Sequence, residues 1–329
     1  MSFKAYLINQ EDGKVVSRFT EMNEDQLDPG EVTIRVAYSS VNYKDALAAT
    51  GAGRIIRRYP CIGGIDLAGT VTASQDPRFN KGDAVLCTSY DVGVAHHGGY
   101  AEVARMPADW VVKLPAGMTF KEAMAFGTAG FTAALAVVRM EANGLAPANG
   151  PVIVTGATGG VGSVAIGILS RLGYKVVALT GKETENDYLK RIGASEVMLR
   201  SSLDLVKIKP LDRATWAGAV DNLGGDVLSW LASTMQIGGA LASIGLAAST
   251  SLNTTVMPFI LRGVSLLGID SVNCPMPLRS EVWRRLAGDM KPLHLDAATR
   301  TIAFTDLPSV FDDFLKARIT GRIVVDIAN

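Results

Sequence analysis

Apolar and polar positions alternate along the first third of the chain. Phe3-Lys4-Ala5-Tyr6-Leu7-Ile8 and Glu31-Val32-Thr33-Ile34-Arg35-Val36-Ala37-Tyr38 read as half-buried strands. Pro29-Gly30, Asn80-Lys81-Gly82-Asp83 and His97-Gly98-Gly99 are turn signals between such runs. Ala84–Cys87, Tyr100–Val103 and Trp110–Val112 continue the short-strand pattern, so this part reads as a β-rich, partly barrel-like domain. Helical periodicity enters at Phe120–Val138. From about 125 to 290 strand and helix patterns alternate, with strand candidates at Val152–Val154, Tyr174–Leu179, Val197–Leu199, Ala217–Asp221, Gly239–Gly245 and Val264–Ile269. Ser280–Met290 reads as a helix, as does Leu307–Ala317. Arg322–Val325 reads as a closing strand returning to the first domain. Two stretches carry no charge, Ala142–Ser170 and Val227–Leu261. Gly, Pro, Asn, Ser and Thr punctuate both, which favours core sheet over a membrane span, with a possible subunit interface in the second.

The candidate chemistry gathers where the rhythm changes. After Val152-Ile153-Val154 comes Thr155-Gly156-Ala157-Thr158-Gly159-Gly160-Val161-Gly162, then a helix pattern with Val164, Ile168 and Leu172 on one face. A buried strand, a tight glycine turn and a helix form the first half of a dinucleotide-binding unit, with pyrophosphate at the helix N-terminus. The spacing is G-x-x-G-x-x-G, which is weak as a bare pattern and specific only in its strand-to-helix context. The next strand ends at Thr180-Gly181-Lys182. An NAD site carries Asp or Glu near here for the ribose 2′-hydroxyl. A hydroxyl and an ammonium instead attract a 2′-phosphate, and Arg200 is a second candidate cation. Together they favour NADPH, although each cation alone would equally be solvated surface.

Bulk composition narrows the partners. The 329 residues suit two domains. Lys+Arg and Asp+Glu are equal at 32 each, so no net field attracts nucleic acid or an anionic membrane. Three separated cysteines, Cys61, Cys87 and Cys274, fit a reducing, cytoplasmic setting. Lys4, Glu11 and Asp12 interrupt any signal-peptide pattern.

Longer motifs carry a resemblance. Val41-Asn42-Tyr43-Lys44-Asp45, Gly64-Ile65-Asp66-Leu67-Ala68-Gly69-Thr70-Val71, Gly127–Ala133 and the glycine turn resemble the medium-chain dehydrogenase/reductase superfamily over essentially the whole chain. Asn42–Ala48, Trp216–Ala219 and Thr254–Arg262 are similar to its YhdH/YhfP branch of quinone oxidoreductases and acrylyl-CoA reductases. The resemblance implies an α/β protein: a Rossmann domain with a doubly wound parallel sheet plus a GroES-like β-rich domain, the active site in the cleft between them. The expected limits are 1–124, completed by 294–329, for the GroES-like catalytic domain and 125–293 for the NADPH-binding domain. Zinc relatives carry Cys where this chain has Asn42, His-Glu where it has Ile65-Asp66, and Cys where it has Thr128. Asn, Ile and Thr do not rebuild such a site, so no metal is expected. His96-His97 read as loop residues.

Without a Lewis acid, alcohol oxidation by the usual route is disfavoured, whereas reduction of an activated C=C bond needs none. The developing enolate needs hydrogen-bond donors and the α-carbon a proton. Tyr43 is the expected donor, placed beside the nicotinamide by the resemblance. The competing reading is that it only packs on the ring and water supplies the proton. Asn42 and Asp45 are expected to fix the local turn. The resemblance implies cofactor contacts from Tyr43, Thr132, Thr158, Gly159, Gly160, Val161, Thr180, Gly181, Lys182, Arg200, Leu246, Ile260, Ser271 and Arg322. Ile260 equally reads as plain core, and Arg322 as a surface charge. Arg54, Arg57 and Arg58 form a basic stretch that either rims a site for CoA phosphates or is a solvated loop. The favoured reaction is NADPH-dependent reduction of acryloyl-CoA to propanoyl-CoA. The alternatives are a quinone or enone reductase using the same residues and a catalytically idle NADPH-binding protein. A homodimer is expected from the prevalence of twofold assemblies.

Overall fold

The computed structural model describes residues 2–328. The chain divides into two compact units, one of residues 1–128, 272–280 and 299–329, the other of 129–271 and 281–298.

The first unit opens with the hairpin of β1 (Ser2–Glu11) and β2 (Lys14–Asn23), paired from Ser2 to Glu11 without a slip. Then come β3 (Val32–Val41), helix α1 (Tyr43–Thr50), β4 (Cys61–Ile62), β5 (Asp66–Ser74), β6 (Ala84–Thr88), β7 (Val103–Met106) and β8 (Val112–Lys113). Helix α2 (Phe120–Ala142) leads out of the unit and is broken at Gly127, whose φ is 52° and ψ −158°. The two glycines before Tyr100 move the expected Tyr100–Val103 strand three residues on. Side chains there would lie 2.3 Å from the Gly64 carbonyl oxygen and 2.1 Å from that of Asp66, so residues 98–100 are locked against residues 62–66, the link from β4 into β5. Trp110 closes a 3-10 turn after Pro107 rather than starting a strand.

The second unit holds β9 (Val152–Thr155), α3 (Gly160–Arg171), β10 (Val176–Thr180), α4 (Asn186–Arg191), β11 (Glu196–Leu199), β12 (Trp216–Asp221), α5 (Gly225–Thr234), β13 (Met235–Ser243), α6 (Met257–Arg262) and β14 (Ser265–Gly268). Its six strands are parallel and run in the order β11-β10-β9-β12-β13-β14. This is the doubly wound order, with the direction of winding reversing between β9 and β12. Strands β9, β10 and β12 are buried at every position, which explains their unbroken apolar runs. The uncharged stretch 227–261 is not all core sheet. It begins inside α5, continues as β13 and ends on α6, and Leu246, Val256, Ile260 and Leu261 are all exposed.

Helix α7 (Met276–Ala287) follows, then β15 (Thr299–Ala303), α8 (Leu307–Leu315) and β16 (Arg322–Asp326) return to the first unit. There β16 pairs with β3 and β15, completing a seven-stranded sheet in the order β15-β16-β3-β5-β6-β8, with β7 on β3. Aromatic edges bind the returning segment to the hairpin: Tyr6–Phe19, Phe19–Phe304 and Tyr6–Phe311 lie 5.0, 5.1 and 5.9 Å apart. Helix α2 is long and apolar enough to span a membrane, but 83% of its most apolar window is buried in the protein, as in a core helix.

Candidate active site

In the second unit, most of the expected cofactor residues fall at one edge, the C-terminal ends of the parallel strands. The Gly156 turn follows β9, Thr180-Gly181 ends β10, Arg200 follows β11, Leu246 follows β13 and Ser271 follows β14. Ligands of doubly wound sheets bind at this edge, where the winding reverses. The turn after β9 is built for close approach. Gly159 is the N-cap of α3, and a side chain on Gly162 would put its Cβ 2.4 Å from the Gly156 carbonyl oxygen. The first N–H groups of α3 have no partner within the helix, so Gly160 and Val161 present donors to an anion. The Lys182 amide donates to Thr180 Oγ1 at 3.0 Å, so this hydroxyl shapes the turn. A Cβ on Gly181 would sit 3.8 Å from an Arg200 guanidinium nitrogen, which places Arg200 against the turn that carries Lys182. Among the described residues, no carboxylate pairs with Arg200.

Sequence reasoning missed Asn222, the residue after β12. Its amide donates to the Thr155 carbonyl at 2.7 Å, and its buried Oδ1 has no hydrogen-bond partner among the described residues. An orphaned acceptor beside the Gly156 turn fits a bound dinucleotide that brings a hydroxyl or amide donor. A lone Asn after an apolar run gave no signal in the sequence. Thr132 on α2 is 5% exposed. Ile260 lies on α6, ahead of β14, and is 71% exposed, so the plain-core reading is wrong.

In the first unit, Tyr43 is the first residue of α1 and is 55% exposed. The start of this helix is fixed as expected: the Asn42 amide N–H donates to Asp45 Oδ2 at 2.8 Å. Below it is a buried polar cluster. Asp66, fully buried, accepts from Ser40 Oγ at 2.6 Å, Asn42 Nδ2 at 2.8 Å, Thr128 Oγ1 at 2.5 Å and the Thr128 amide at 3.0 Å. Arg322 is not a surface charge but is 2% exposed. Its Nε donates to the Ala125 carbonyl at 2.9 Å, Nη1 to Asn42 Oδ1 at 3.2 Å and Nη2 to Ser40 Oγ at 3.0 Å. All three guanidinium nitrogens therefore hold protein acceptors.

Burial, with the charge of Asp66 second, pushes the Asp45 carboxyl up to about 7. Lys44 beside Tyr43 is half-buried, and burial pulls its ammonium below the usual lysine range. The basic stretch is partly committed: Arg57 pairs with Asp91 and Arg58 with Asp28, while Arg54 is exposed and has no ion pair among the described residues. His96 and His97 bond to backbone, through the Pro29 carbonyl and the Ile62 amide.

Two families match the chain. The "Alcohol dehydrogenase GroES-like domain" covers residues 28–116, and the "Zinc-binding dehydrogenase" covers 160–288. The residues at the zinc positions do not fit that metal. Asn42 and Thr128 present an amide and a hydroxyl, both donating to Asp66, and Ile65 presents no ligand atom. Acrylyl-CoA reductase AcuI of Ruegeria pomeroyi is 46% identical over 327 residues, covering 99% of each chain. YhfP of Bacillus subtilis, provisionally named a quinone oxidoreductase, is 52% identical over 297 residues, 90% of each chain. Its crystal structure with NAD bound matches with a TM-score of 0.97 over 99% of each chain, at 48% identity. The yhdH oxidoreductase of Salmonella enterica in complex with NADP matches with a TM-score of 0.95 at 46% identity, over 98% of this chain and 99% of that one. The chain therefore belongs to the medium-chain dehydrogenase/reductase superfamily, in the branch that holds YhfP, YhdH and AcuI.

Proposed function

We propose that the protein is an NADPH-dependent oxidoreductase that saturates an activated C=C bond, with acryloyl-CoA as substrate and propanoyl-CoA as product. The observation that carries the reading is a half-exposed phenol, Tyr43, beside a buried cluster of Asn, Thr, Asp and Arg where zinc relatives hold their metal. The likeness to AcuI, an acrylyl-CoA reductase, supports the substrate, and the NADP-bound yhdH structure supports the cofactor.

The glycine turn and the N-terminus of α3 hold the pyrophosphate, Thr158 to Val161 lining it. Arg200 and Lys182 take the 2′-phosphate through charge-assisted contacts. Tyr43, Thr132, Leu246, Ile260 and Ser271 line the rest of the cofactor. NADPH supplies the hydride for the β-carbon. The Tyr43 hydroxyl donates to the thioester oxygen as negative charge develops there and passes its proton toward the α-carbon, and solvent water reaching this half-exposed side chain returns a proton to the phenolate. Arg54 is the member of the basic stretch that, among the described residues, no carboxylate pairs, and so is left to meet a CoA phosphate. We also propose a homodimer in the cytoplasm. The exposed Ile237 and Leu266 on β13 and β14, at the open side of the second unit's sheet, support a self-association surface.

The test is loss of NADPH absorbance with acryloyl-CoA, with a simple quinone, and with NADH in place of NADPH. Turnover of the thioester well above that of the quinone is expected. Fast quinone reduction with negligible thioester reduction moves the protein to the quinone reading, which the likeness to YhfP favours. In the same assay Tyr43→Phe is expected to lower kcat about 100-fold. A change of only a few-fold assigns the proton to water.

A further inference from the structure

The buried cluster beneath Tyr43 joins four chain segments that are far apart in sequence. Ser40, Val41 and Asn42 end β3 and cap α1. Asp66 begins β5. Ala125, Gly127 and Thr128 form the break in α2. Arg322 begins β16. Arg322 donates to Ala125, Val41, Asn42 and Ser40, and so bonds to two of the other three segments besides supplying the fourth. Asp66 draws Ser40, Asn42 and Thr128 inward from the other side. The cluster fills its space: a Cβ on Gly127 would fall 2.6 Å from Arg322 Nη2, 2.6 Å from Asp66 Oδ2 and 2.7 Å from Ser40 Oγ.

These positions include those where zinc relatives hold their metal, and the side chains here are unsuited to it. A divalent cation ties several segments to one point. A guanidinium with planar, fixed donors can do the same when it faces a carboxylate that receives donors from the same segments. Asn42 is bound by both ions and immediately precedes Tyr43, so its position sets where α1 begins and where the phenol projects.

We infer that the Arg322–Asp66 cluster is a positioning device that replaces the metal as the cross-link of this site. It holds the Asn42 cap, and hence Tyr43, in its working place. Arg322 and Asp66 touch neither substrate nor cofactor in this role and act through Asn42. The effect on turnover rests on the reading of Tyr43 as proton donor; the effect on the start of α1 does not.

The test uses the full-length protein and the double variant Asp66→Asn/Arg322→Met, which leaves no lone buried charge and so is built to fold. Arg322→Lys and wild type run beside it. Hydrogen exchange at the amides of residues 43–50 is read together with kcat and KM for the enone and with NADPH affinity. In the double variant, the 43–50 amides are expected to lose protection about tenfold or more while the β1–β2 hairpin keeps it. NADPH affinity is expected to stay within about threefold, and kcat to fall about 10- to 100-fold through misplacement of the phenol. Arg322→Lys is expected to recover less than half of the lost kcat, because one ammonium cannot reach acceptors on all these segments at once. Unchanged protection at 43–50 in the double variant overturns the inference whatever the turnover. Lost protection with wild-type kcat also overturns it, since the cluster would then serve stability alone. If Tyr43→Phe turns over like wild type, the donor reading fails, and the exchange result still decides whether the cluster holds α1.

Discussion

Asp45 shows how one residue ties the site to solution conditions. Its oxygens accept from the Asn42 amide, Asn42 Nδ2 and the Ile65 amide, all of which favour the charged form. Burial, aided by the charge of Asp66, outweighs them and moves the carboxyl from 3.8 to about 7. Between those values the folded chain keeps a proton that the unfolded chain has released. Stability therefore falls as pH rises from about 4 to 7 and this contribution levels off above. Asp45→Asn should flatten that slope. Urea unfolding of both proteins at pH 5 and pH 8 checks it, and equal losses in the two proteins would contradict the shift. The proposed role of Arg200 in cofactor choice is tested in a similar local way. Arg200→Ala should raise the KM for NADPH about 10- to 100-fold, the worth of a charge-assisted contact, and leave the KM for NADH nearly unchanged. Parallel rises for both cofactors would mean that Arg200 does not read the 2′-phosphate.

At the scale of elements, the break in α2 concentrates the constraints. Gly127 needs its positive φ, and it has no room for a side chain. Gly127→Ala should cost about 2–4 kcal/mol, as measured by denaturant unfolding, and should disturb the cluster it faces. The strand-turn-helix of β9 and α3 was legible in the residues because burial on both faces writes an unbroken apolar run and the turn demands glycine. The helical pattern of α2 was legible too, but not its break, since Gly127 sits among small residues that suit a helix equally well. Strand β2 was missed because only Met22 within it is buried, so its apolar positions carry little rhythm. Helix α5 escaped because its Gly, Ser and Ala content masks the 3.6-residue period in a stretch without charge. The buried cluster was the least legible part. Arg322 near the end of a chain looks like solvated charge, and nothing local says that its partners stand at 40, 42 and 125. The resemblance named Arg322 as a site residue without revealing what it binds.

At the scale of the whole molecule, among the described residues the second unit leaves the outer strand β14 of its sheet unpaired on one side, with Leu266 38% exposed on it and Ile237 84% exposed on neighbouring β13. An open sheet edge flanked by apolar side chains is a template for a second copy. Light scattering coupled to size exclusion should give a dimer, and Leu266→Glu should shift it toward monomer with its fold retained. A monomeric wild type would remove that reading. The return of β16 to β3 has a further consequence, for synthesis on the ribosome. Asn42 and Arg322 are 280 residues apart in the chain. At about 5–20 residues per second, roughly a quarter of a minute to a minute passes between the emergence of the two. The whole 129–271 segment is translated in that interval and can fold first. The Tyr43 segment must meanwhile wait on the nascent chain without the ion that anchors it. A polypeptide released early, short of its last ten residues, would then carry a finished second unit and an unfinished first one.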